Sequence, residues 1–120
     1  MQKLPICAVI LTRNEEKHIA RALESVQFAA EILVIDAESS DQTQKIAADM
    51  GARVVIHPWQ GFREQRNFAL TQTKIDWIFS LDADECATPE LALWLADFFR
   101  EGRGQKNQFG FKIHRIEYFL

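Results

Sequence analysis

The stretch WIFSLDADE, residues 77–85, decides the fold, because an apolar run in it ends abruptly at three carboxylates. The run 77–81 has the length and composition of a strand buried in a core. Asp82, Asp84 and Glu85 follow at once and repel one another. Two carboxylates about 6 Å apart cost about 3 kcal/mol at an effective dielectric of about 20, and under about 1 kcal/mol in water. The pattern predicts a buried strand that ends at a site where closely spaced carboxylates have a function.

The rest of the chain alternates between strand and helix patterns. Apolar stretches of strand length lie at 6–12, 31–37, 52–58 and 75–82. Between and after them we predict helices: one capped by Asn14, one capped within 39–41 and ending at Gly51, one over 62–74, and one capped by Thr88 with Pro89 at its first position. Strands that are apolar on both faces need helices on both faces. This order therefore predicts an α/β fold with a three-layer, doubly wound, mainly parallel sheet.

The composition is that of an ordinary single-domain globular protein, with 120 residues, 48% of them hydrophobic and 26% charged. The net charge of −3 argues against a dedicated nucleic-acid binder. No apolar run approaches the ~18 residues that a transmembrane helix needs. Cys7 and Cys86 lack the paired spacing of a disulfide framework or a zinc site. We therefore expect a reducing, cytoplasmic setting and no nucleic-acid partner.

The C-terminal end carries further signals. Residues 102–107 have turn composition, and FGFKIHRIEYF (109–119) predicts a late strand. The chain closes on the apolar residues IEYFL (116–120), so we expect it to be the first half of a longer protein. Basic residues predict either a solvated face or a peripheral contact with an anionic surface at the inner side of the cytoplasmic membrane: Arg100, Arg103, Lys106, Lys112 and Arg115.

Polar clusters follow three of the predicted strands. They are TRNEE (12–16), DAESSDQT (36–43) and DADE (82–85). In an open α/β sheet, ligands bind beyond the carboxyl ends of the strands. If the strands lie in the order 3-2-1-4, these three ends are neighbours and face one crevice. We expect the functional site there.

The acids of DADE suit a divalent cation. In an extended strand Asp82 and Asp84 point to the same side, with Cα atoms about 6.6–7 Å apart. One carboxylate would bind the ion directly, and the other would accept from a ligand hydroxyl or reach the ion through water. Hard carboxylate oxygens favour Mg²⁺ or Mn²⁺ bridging phosphates. The alternative is that Asp84 and Glu85 only solvate a loop before the Thr88 cap.

Each of the other candidate residues has a functional and a structural interpretation. Asn14 and the neighbouring helix amides could hold a polar ligand, or Asn14 could be a simple cap. Asp36 could accept from a base imide or a ribose hydroxyl, or bond its own turn. Arg66 interrupts an apolar stripe and could meet a diphosphate, or its stem could pack on Phe62 at the surface. Trp59 could stack on a ligand, although packing within its turn is the expected role.

These segments together resemble glycosyltransferase family 2, of the inverting, GT-A fold kind, from residue 6 to about residue 115. The resemblance is carried by AVILTRNEEKHIARALESV (8–26), ILVIDAESSDQT (32–43), REQRNFAL (63–70) and WIFSLDADE (77–85). LDADE (81–85), FREQRNFAL (62–70) and GFKIHRIEYFL (110–120) are most similar to the branch of lipopolysaccharide core glucosyltransferases.

The resemblance implies that the chain binds a nucleotide-diphosphate sugar, with a UDP-sugar favoured, and transfers the sugar to a saccharide or lipid-linked acceptor. It implies a nucleoside pocket lined by Thr12, Asn14, Glu15 and Asp36, with Arg66 near the base or diphosphate. Asp82 would meet the ribose or the ion, and Asp84 would ligate Mg²⁺ or Mn²⁺. The metal would neutralise charge on the departing nucleotide, while a carboxylate base deprotonates the acceptor hydroxyl.

Departures from the family pattern limit what is carried over. The family's acidic turn is closer to DDGSTDGT, whereas this chain has Ala37 in place of the second acid and Glu38 and Gln42 in place of glycines. The family's acceptor-binding half and its catalytic base lie beyond residue 120. The 120 residues are therefore expected to be the nucleotide-sugar-binding portion, which need not be active alone.

Two other functions fit parts of the pattern. Nucleotidyltransferases share a similar sheet with metal-binding Asp residues, but they carry a glycine-rich, basic loop after the first strand. TRNEEKH (12–18) contains no glycine, which counts against them. A non-catalytic nucleotide-sugar-binding module is the third hypothesis.

Overall fold

The computed structural model describes residues 3–102. Strands and helices alternate along the chain as predicted: β1 (Leu4–Thr12), α1 (Ile19–Ser25), β2 (Ala29–Asp36), α2 (Thr43–Asp49), β3 (Arg53–Ile56), α3 (Phe62–Leu70), β4 (Trp77–Asp82) and α4 (Pro89–Arg100). The predicted strand over 109–119, and all but the first residue of the predicted turn over 102–107, lie outside this range. None of the helices within it is long and apolar enough to cross a membrane.

The four strands form one parallel sheet in the order β3-β2-β1-β4. The order on which the predicted crevice depends is therefore confirmed. In the register, Thr12 lies opposite Asp36, and Leu11 lies opposite Asp82. Asp36 lies opposite Ile56 on its other side. The carboxyl ends of all four strands thus meet along one edge of the sheet.

Helices cover both faces of the sheet, which confirms the three-layer arrangement. Alternate residues of β1 separate into two cores, with Ile6, Ala8 and Ile10 on one face and Cys7 and Val9 on the other. The first core also takes buried residues from three helices: Ile19, Ala22 and Leu23 of α1, Ala47 of α2, and Leu91 and Leu95 of α4. The second core takes Ala69 of α3. Crossover connections between parallel strands share the same handedness. The chain moves from β1 to β2 and β3 in one direction and then returns to the other side of β1 for β4, so α3 lies on the face opposite α1 and α2.

The predicted start of α4 is confirmed, whereas the predicted start of α1 is not. Thr88 caps α4, since its hydroxyl accepts from the Leu91 amide at 3.2 Å, and Pro89 takes the first position. The prediction that Asn14 caps α1 is wrong, because α1 begins at Ile19 with His18 before it. Asn14 instead has a left-handed backbone, with φ 53°, and bonds to the loop after β2.

Helix α3 also ends earlier than predicted, at Leu70 instead of residue 74. The amides of Thr71 and Gln72 bond back three residues, to Phe68 and Ala69, which tightens the last turn and stops the helix. Thr73 then donates its hydroxyl to Glu31 of β2. This side-chain contact directs the chain toward β4.

Candidate functional site

The candidate site lies at the carboxyl edge of the sheet, where the loops after β1, β2 and β4 meet. Asp36 and Asp82 stand on the two strands that flank β1. Neighbouring strands are about 4.8 Å apart, so the two backbones are separated by about 10 Å. The three polar clusters, which are distant in sequence, therefore converge as the strand order required.

Asp36 is the centre of the part nearest β2. Its side chain has no exposed surface. One oxygen, Oδ1, accepts from the hydroxyls of Thr12 and Ser39, both at 2.6 Å. The other, Oδ2, accepts from the Ser39 amide and from Gln44 Nε2, both at 2.7 Å. The carboxylate thus has the four partners that its lone pairs can take.

These hydrogen bonds keep Asp36 ionised despite its burial. Burial is the largest single influence and by itself raises the pKa of the carboxyl group. The bonds from Ser39, Thr12 and Gln44 together outweigh it and lower the pKa below its ordinary value. At neutral pH the site therefore holds a buried negative charge, which accepts hydrogen bonds from Thr12 of β1 and from Ser39 and Gln44.

The loops after β1 and β2 are fastened to each other by hydrogen bonds in both directions. Side-chain oxygens of the second loop accept from amides of the first: Asn14 N to Ser39 Oγ at 2.7 Å, Glu15 N to Thr43 Oγ1 at 2.8 Å and Glu16 N to Asp41 Oδ2 at 3.2 Å. In return, Asn14 Oδ1 accepts from the Ser40 amide at 2.8 Å. The amides predicted to hold a ligand at the start of α1 are thus already engaged within the protein.

Glu38 occupies a backbone conformation that glycine favours. Its φ is 57°, in the left-handed region, at a position where the resembled pattern has glycine. That conformation costs a residue with a Cβ atom about 1–2 kcal/mol. The bonds from Ser39 to Asp36 on its C-terminal side hold the turn in place. The tight turn is therefore kept without glycine, at the expense of local strain.

The acids after β4 differ in role and exposure. Glu85 closes the turn, because its Oε1 accepts from the Asp82 amide and its own amide donates to the Asp82 carbonyl, both at 2.9 Å. Asp82 is half-buried and Asp84 is exposed. Asp82 and Asp84 thus lie at the carboxyl end of β4, while Glu85 stabilises the turn.

The chemistry of these acids suits a hard divalent cation that brings other ligands with it. Within residues 3–102, no group of three or more His, Cys, Asp or Glu side chains is placed to hold one ion. Mg²⁺ binds in this manner, through one or two carboxylates together with substrate phosphates and water. Asp82 and Asp84 therefore fit a cation shared with a phosphorylated ligand.

The turn is also anchored to helix α1. The Ala87 amide donates to Ser25 Oγ at 2.9 Å, and Arg21 Nε donates to Cys86 Sγ at 3.1 Å. A groove of about 570 Å³ opens between α1 and this turn, lined in part by Glu24 and by these residues. Cys86 accordingly helps to hold the turn in position.

Arg66 is exposed on α3, and its guanidinium carbon is 5.6 Å from the centre of the Phe62 ring. This contact agrees with the interpretation that Arg66 packs on Phe62 at the surface. A contact of Arg66 with a nucleotide stays a prediction. Phe62 itself is 60% exposed, so the stripe faces solvent at this end of the helix.

Sequence reasoning missed a buried glutamine that connects α3 to the site. Gln65 is 1% exposed, and its side chain bonds to His57 twice: Oε1 to Nδ1 at 2.6 Å and Nε2 to the carbonyl at 3.2 Å. The His57 amide donates to the Asp36 carbonyl at 2.9 Å. Nothing in REQRN distinguishes Gln65 from a solvated residue. Ser39 was recognisable, because a hydroxyl three residues after Asp36 is typical of a side-chain-closed turn.

Comparison of the sequence with known proteins identifies relatives over most of the chain. The sequence model described as Glycosyl transferase family 2 matches residues 7–113. An uncharacterised glycosyltransferase of Rickettsia bellii is 48% identical over 87 residues, covering 72% of this chain and 30% of that protein. The lipopolysaccharide core biosynthesis glycosyltransferase LpsC of Rhizobium meliloti is 38% identical over 88 residues, covering 69% of this chain and 33% of that protein. The chain thus spans about a third of the length of these curated relatives.

Solved structures share the architecture. Glucosyl-3-phosphoglycerate synthase of Mycobacterium tuberculosis, in complex with Mn²⁺, UDP and glucosyl-3-phosphoglycerate, gives a TM-score of 0.67 at 28% identity and covers 78% of this chain and 39% of that one. Residues 1–349 of S. aureus TarS give a TM-score of 0.67 at 25% identity and cover 86% of this chain and 33% of that one. These neighbours are GT-A fold glycosyltransferases, which confirms the expected fold class. Matched over residues 7–113, this chain belongs to glycosyl transferase family 2.

Proposed function

We propose that this chain is the nucleotide-sugar-binding portion of a metal-dependent, inverting glycosyltransferase. Its donor is a nucleotide-diphosphate sugar, with a UDP-sugar favoured, and its acceptor is a hydroxyl of a saccharide or lipid-linked molecule. The product is part of the lipopolysaccharide core or of another cell-surface glycan. Family membership and the relative named for lipopolysaccharide core biosynthesis support this proposal. The relatives do not favour the nucleotidyltransferase alternative.

One observation carries the proposal, namely that Asp36 and the Asp82–Asp84 turn stand on opposite sides of the end of β1. The separation of about 10 Å suits a ligand with a polar ring at one end and phosphates at the other. The nucleoside belongs on the Asp36 side, with Thr12, Asn14 and Glu15 around it. The diphosphate then reaches the acids after β4. Arg66, exposed on α3, adds positive charge on the nucleoside side.

The saturated state of Asp36 constrains how the base is recognised. A base imide that binds this carboxylate must displace one of its four donors. Gln44 is the side chain that can leave at least cost, because its long, half-buried stem can turn toward solvent while Ser39 and Thr12 are held by short connections. In this proposal Asp36 accepts from the base after Gln44 moves.

The acids after β4 hold the phosphate end of the donor. Asp84 ligates Mg²⁺ or Mn²⁺ directly, and Asp82 meets the ribose or supports the ion. A divalent cation bound there supplies Lewis-acid stabilisation of the negative charge on the departing diphosphate. Glu85 keeps the turn closed through its bonds to Asp82 and so fixes the direction of the Asp84 carboxylate. No residue of this chain is assigned as the base that deprotonates the acceptor.

Calorimetric titration with UDP in the presence and absence of Mn²⁺ tests the proposal. Asp84→Ala should abolish the metal-dependent part of the affinity and leave the fold intact, because Asp84 is exposed. Asp76→Ala is the matched control, since Asp76 is an exposed carboxylate just before β4, at the opposite edge of the sheet. Unchanged UDP affinity of Asp84→Ala with Mn²⁺ would contradict the metal role, and a native chain that binds no UDP would overturn the proposed function.

A further inference from the structure

Several exposed apolar side chains follow the carboxyl end of β3, which pairs with β2 at Asp36. Of the six large hydrophobic residues that are exposed within residues 3–102, three lie between positions 56 and 62. They are Ile56, Trp59 and Phe62. Exposed apolar residues that lie together, unlike single scattered ones, indicate an interaction site. The remaining three are Leu70, at the far end of α3, and Leu93 and Trp94 on α4.

Trp59 and Phe62 form a defined aromatic pair within this region. Their ring centres are 4.8 Å apart and their planes are perpendicular. Trp59 is 41% exposed. The guanidinium of Arg66 lies over Phe62, so Phe62 contacts both a cation and the indole. The expected packing of Trp59 within its turn is therefore limited to its contact with Phe62.

The aromatic pair is tied to the site through the backbone. Ile56 is the register partner of Asp36, and three residues extend at most about 11 Å, so Trp59 starts close to the end of β2. The hydrogen bonds of His57 to Asp36 and to Gln65 fix the chain on either side of this segment. Gly61, with φ 105°, then turns the chain into α3. The indole is thus presented from a fixed segment at the same edge of the sheet as the nucleoside side.

We propose that Trp59 stacks on the nucleobase of the donor, and that Phe62 and Arg66 are positioning residues for the indole. This inference rests on the proposed function. A nucleobase is the occupant that fits, because it is a flat ring beside Asp36, whereas the sugar and phosphates extend toward Asp84. Stacking contacts the face of a base. The Asp36 carboxylate, whose acceptor positions are occupied by Thr12, Ser39 and Gln44, does not provide this contact. The indole of Trp59 then contributes affinity for the base, and Asp36 contributes selectivity for the edge of the base.

The test compares UDP and inorganic diphosphate, each with Mn²⁺, by calorimetry and by tryptophan fluorescence. Trp59→Ala should weaken UDP binding by about 5- to 140-fold, the range for loss of one base–aromatic contact. Trp59→Phe should retain most of the affinity. Diphosphate has no base, so its affinity should be the same in all variants. Trp94→Ala is the matched control, because Trp94 is 44% exposed but lies on α4.

Fluorescence supplies a signature that a merely structural role would not give. UDP should quench the native chain and Trp94→Ala to a similar extent, whereas Trp59→Phe should bind UDP with little quenching. Arg66→Met, which removes the charge but keeps a long stem, should weaken UDP binding less than Trp59→Ala does.

The outcomes separate this inference from the proposed function. Equal UDP affinity of the native chain and Trp59→Ala would overturn the stacking proposal while leaving the proposed function intact. A parallel loss of UDP and diphosphate affinity in Trp59→Ala would also overturn it, since it would show a general effect on the fold. Should the native chain bind no UDP, the proposed function itself fails.

Discussion

Replacing Asp36 tests the claim that its carboxylate organises the site. Asp36→Asn keeps the shape of the side chain, and the new amide can still satisfy its surroundings. Its oxygen can take the two N–H donors, from Ser39 and Gln44, while its NH₂ group faces the hydroxyls of Thr12 and Ser39. Hydroxyls can rotate to accept, so all four contacts survive as neutral hydrogen bonds. Asp36→Ala removes every acceptor and leaves the Ser39 amide without its partner, while Gln44 can turn toward solvent.

The magnitudes follow from these contacts. Hydrogen bonds to a charged group are about twice as strong as neutral ones, so Asp36→Asn should lower the free energy of unfolding by about 1–2 kcal/mol. Asp36→Ala should lower it by about 2–4 kcal/mol, because all four hydrogen bonds are lost and an unsatisfied Ser39 amide costs about 1–3 kcal/mol. Asp49→Ala, at an exposed carboxylate paired with Lys45, is the control and should change stability by less than about 1 kcal/mol.

The same carboxylate predicts a pH dependence. Its folded pKa lies below the ordinary value of 3.8, so the stabilisation is complete above that value and is lost as the pH falls below it. The native chain should therefore lose more stability than Asp36→Asn when the pH is lowered from about 5 to about 3. Above about pH 5 the difference between the two should be constant.

Urea unfolding followed by far-ultraviolet circular dichroism, repeated across this pH range, measures both effects. The order of stability should be native, then Asp36→Asn, then Asp36→Ala. The reasoning is refuted if Asp36→Ala is as stable as Asp36→Asn, or if Asp36→Asn shows the same loss of stability in acid as the native chain.

Three further predictions concern the neighbouring structure and use the same unfolding assay or thiol labelling. At Glu38 the left-handed backbone predicts that Glu38→Gly is more stable than Glu38→Val by about 1–2 kcal/mol, and equal stabilities would exclude strain at this turn. Gln65→Leu should lower the free energy of unfolding by about 1–3 kcal/mol, because it leaves His57 Nδ1 without its partner; a neutral effect would contradict a role for this contact. Burial raises the pKa of the Cys7 thiol to about 11, so a thiol reagent at neutral pH should label the folded chain at Cys86 and not at Cys7. Labelling of both in the folded state would contradict the burial of Cys7.

Much of the fold follows from local patterns in the sequence. Continuous apolar runs predicted all four strands, because strands covered on both faces have no polar side. The Thr88–Pro89 start of α4 was readable for a similar reason, since a cap needs only neighbours in sequence. The predictions were wrong where contacts between segments that are distant in sequence determine the local structure. Asn14 has the composition of a helix cap, but bonds to the loop after β2 draw it into another role, and α3 ends where Thr73 reaches Glu31.

The same division applies to the site. The sequence alone determined which residues are available for chemistry, because polar and acidic side chains directly after apolar runs are visible without knowledge of the fold. The tertiary structure decided which of them share a site and in what state, because the sheet order brings residues 12, 36 and 82 together across gaps of 24 and 46 positions in sequence. It also decided that Asp36 is buried with four donors while Asp84 and Arg66 are exposed, since burial depends on what packs around a residue and not on its neighbours along the chain.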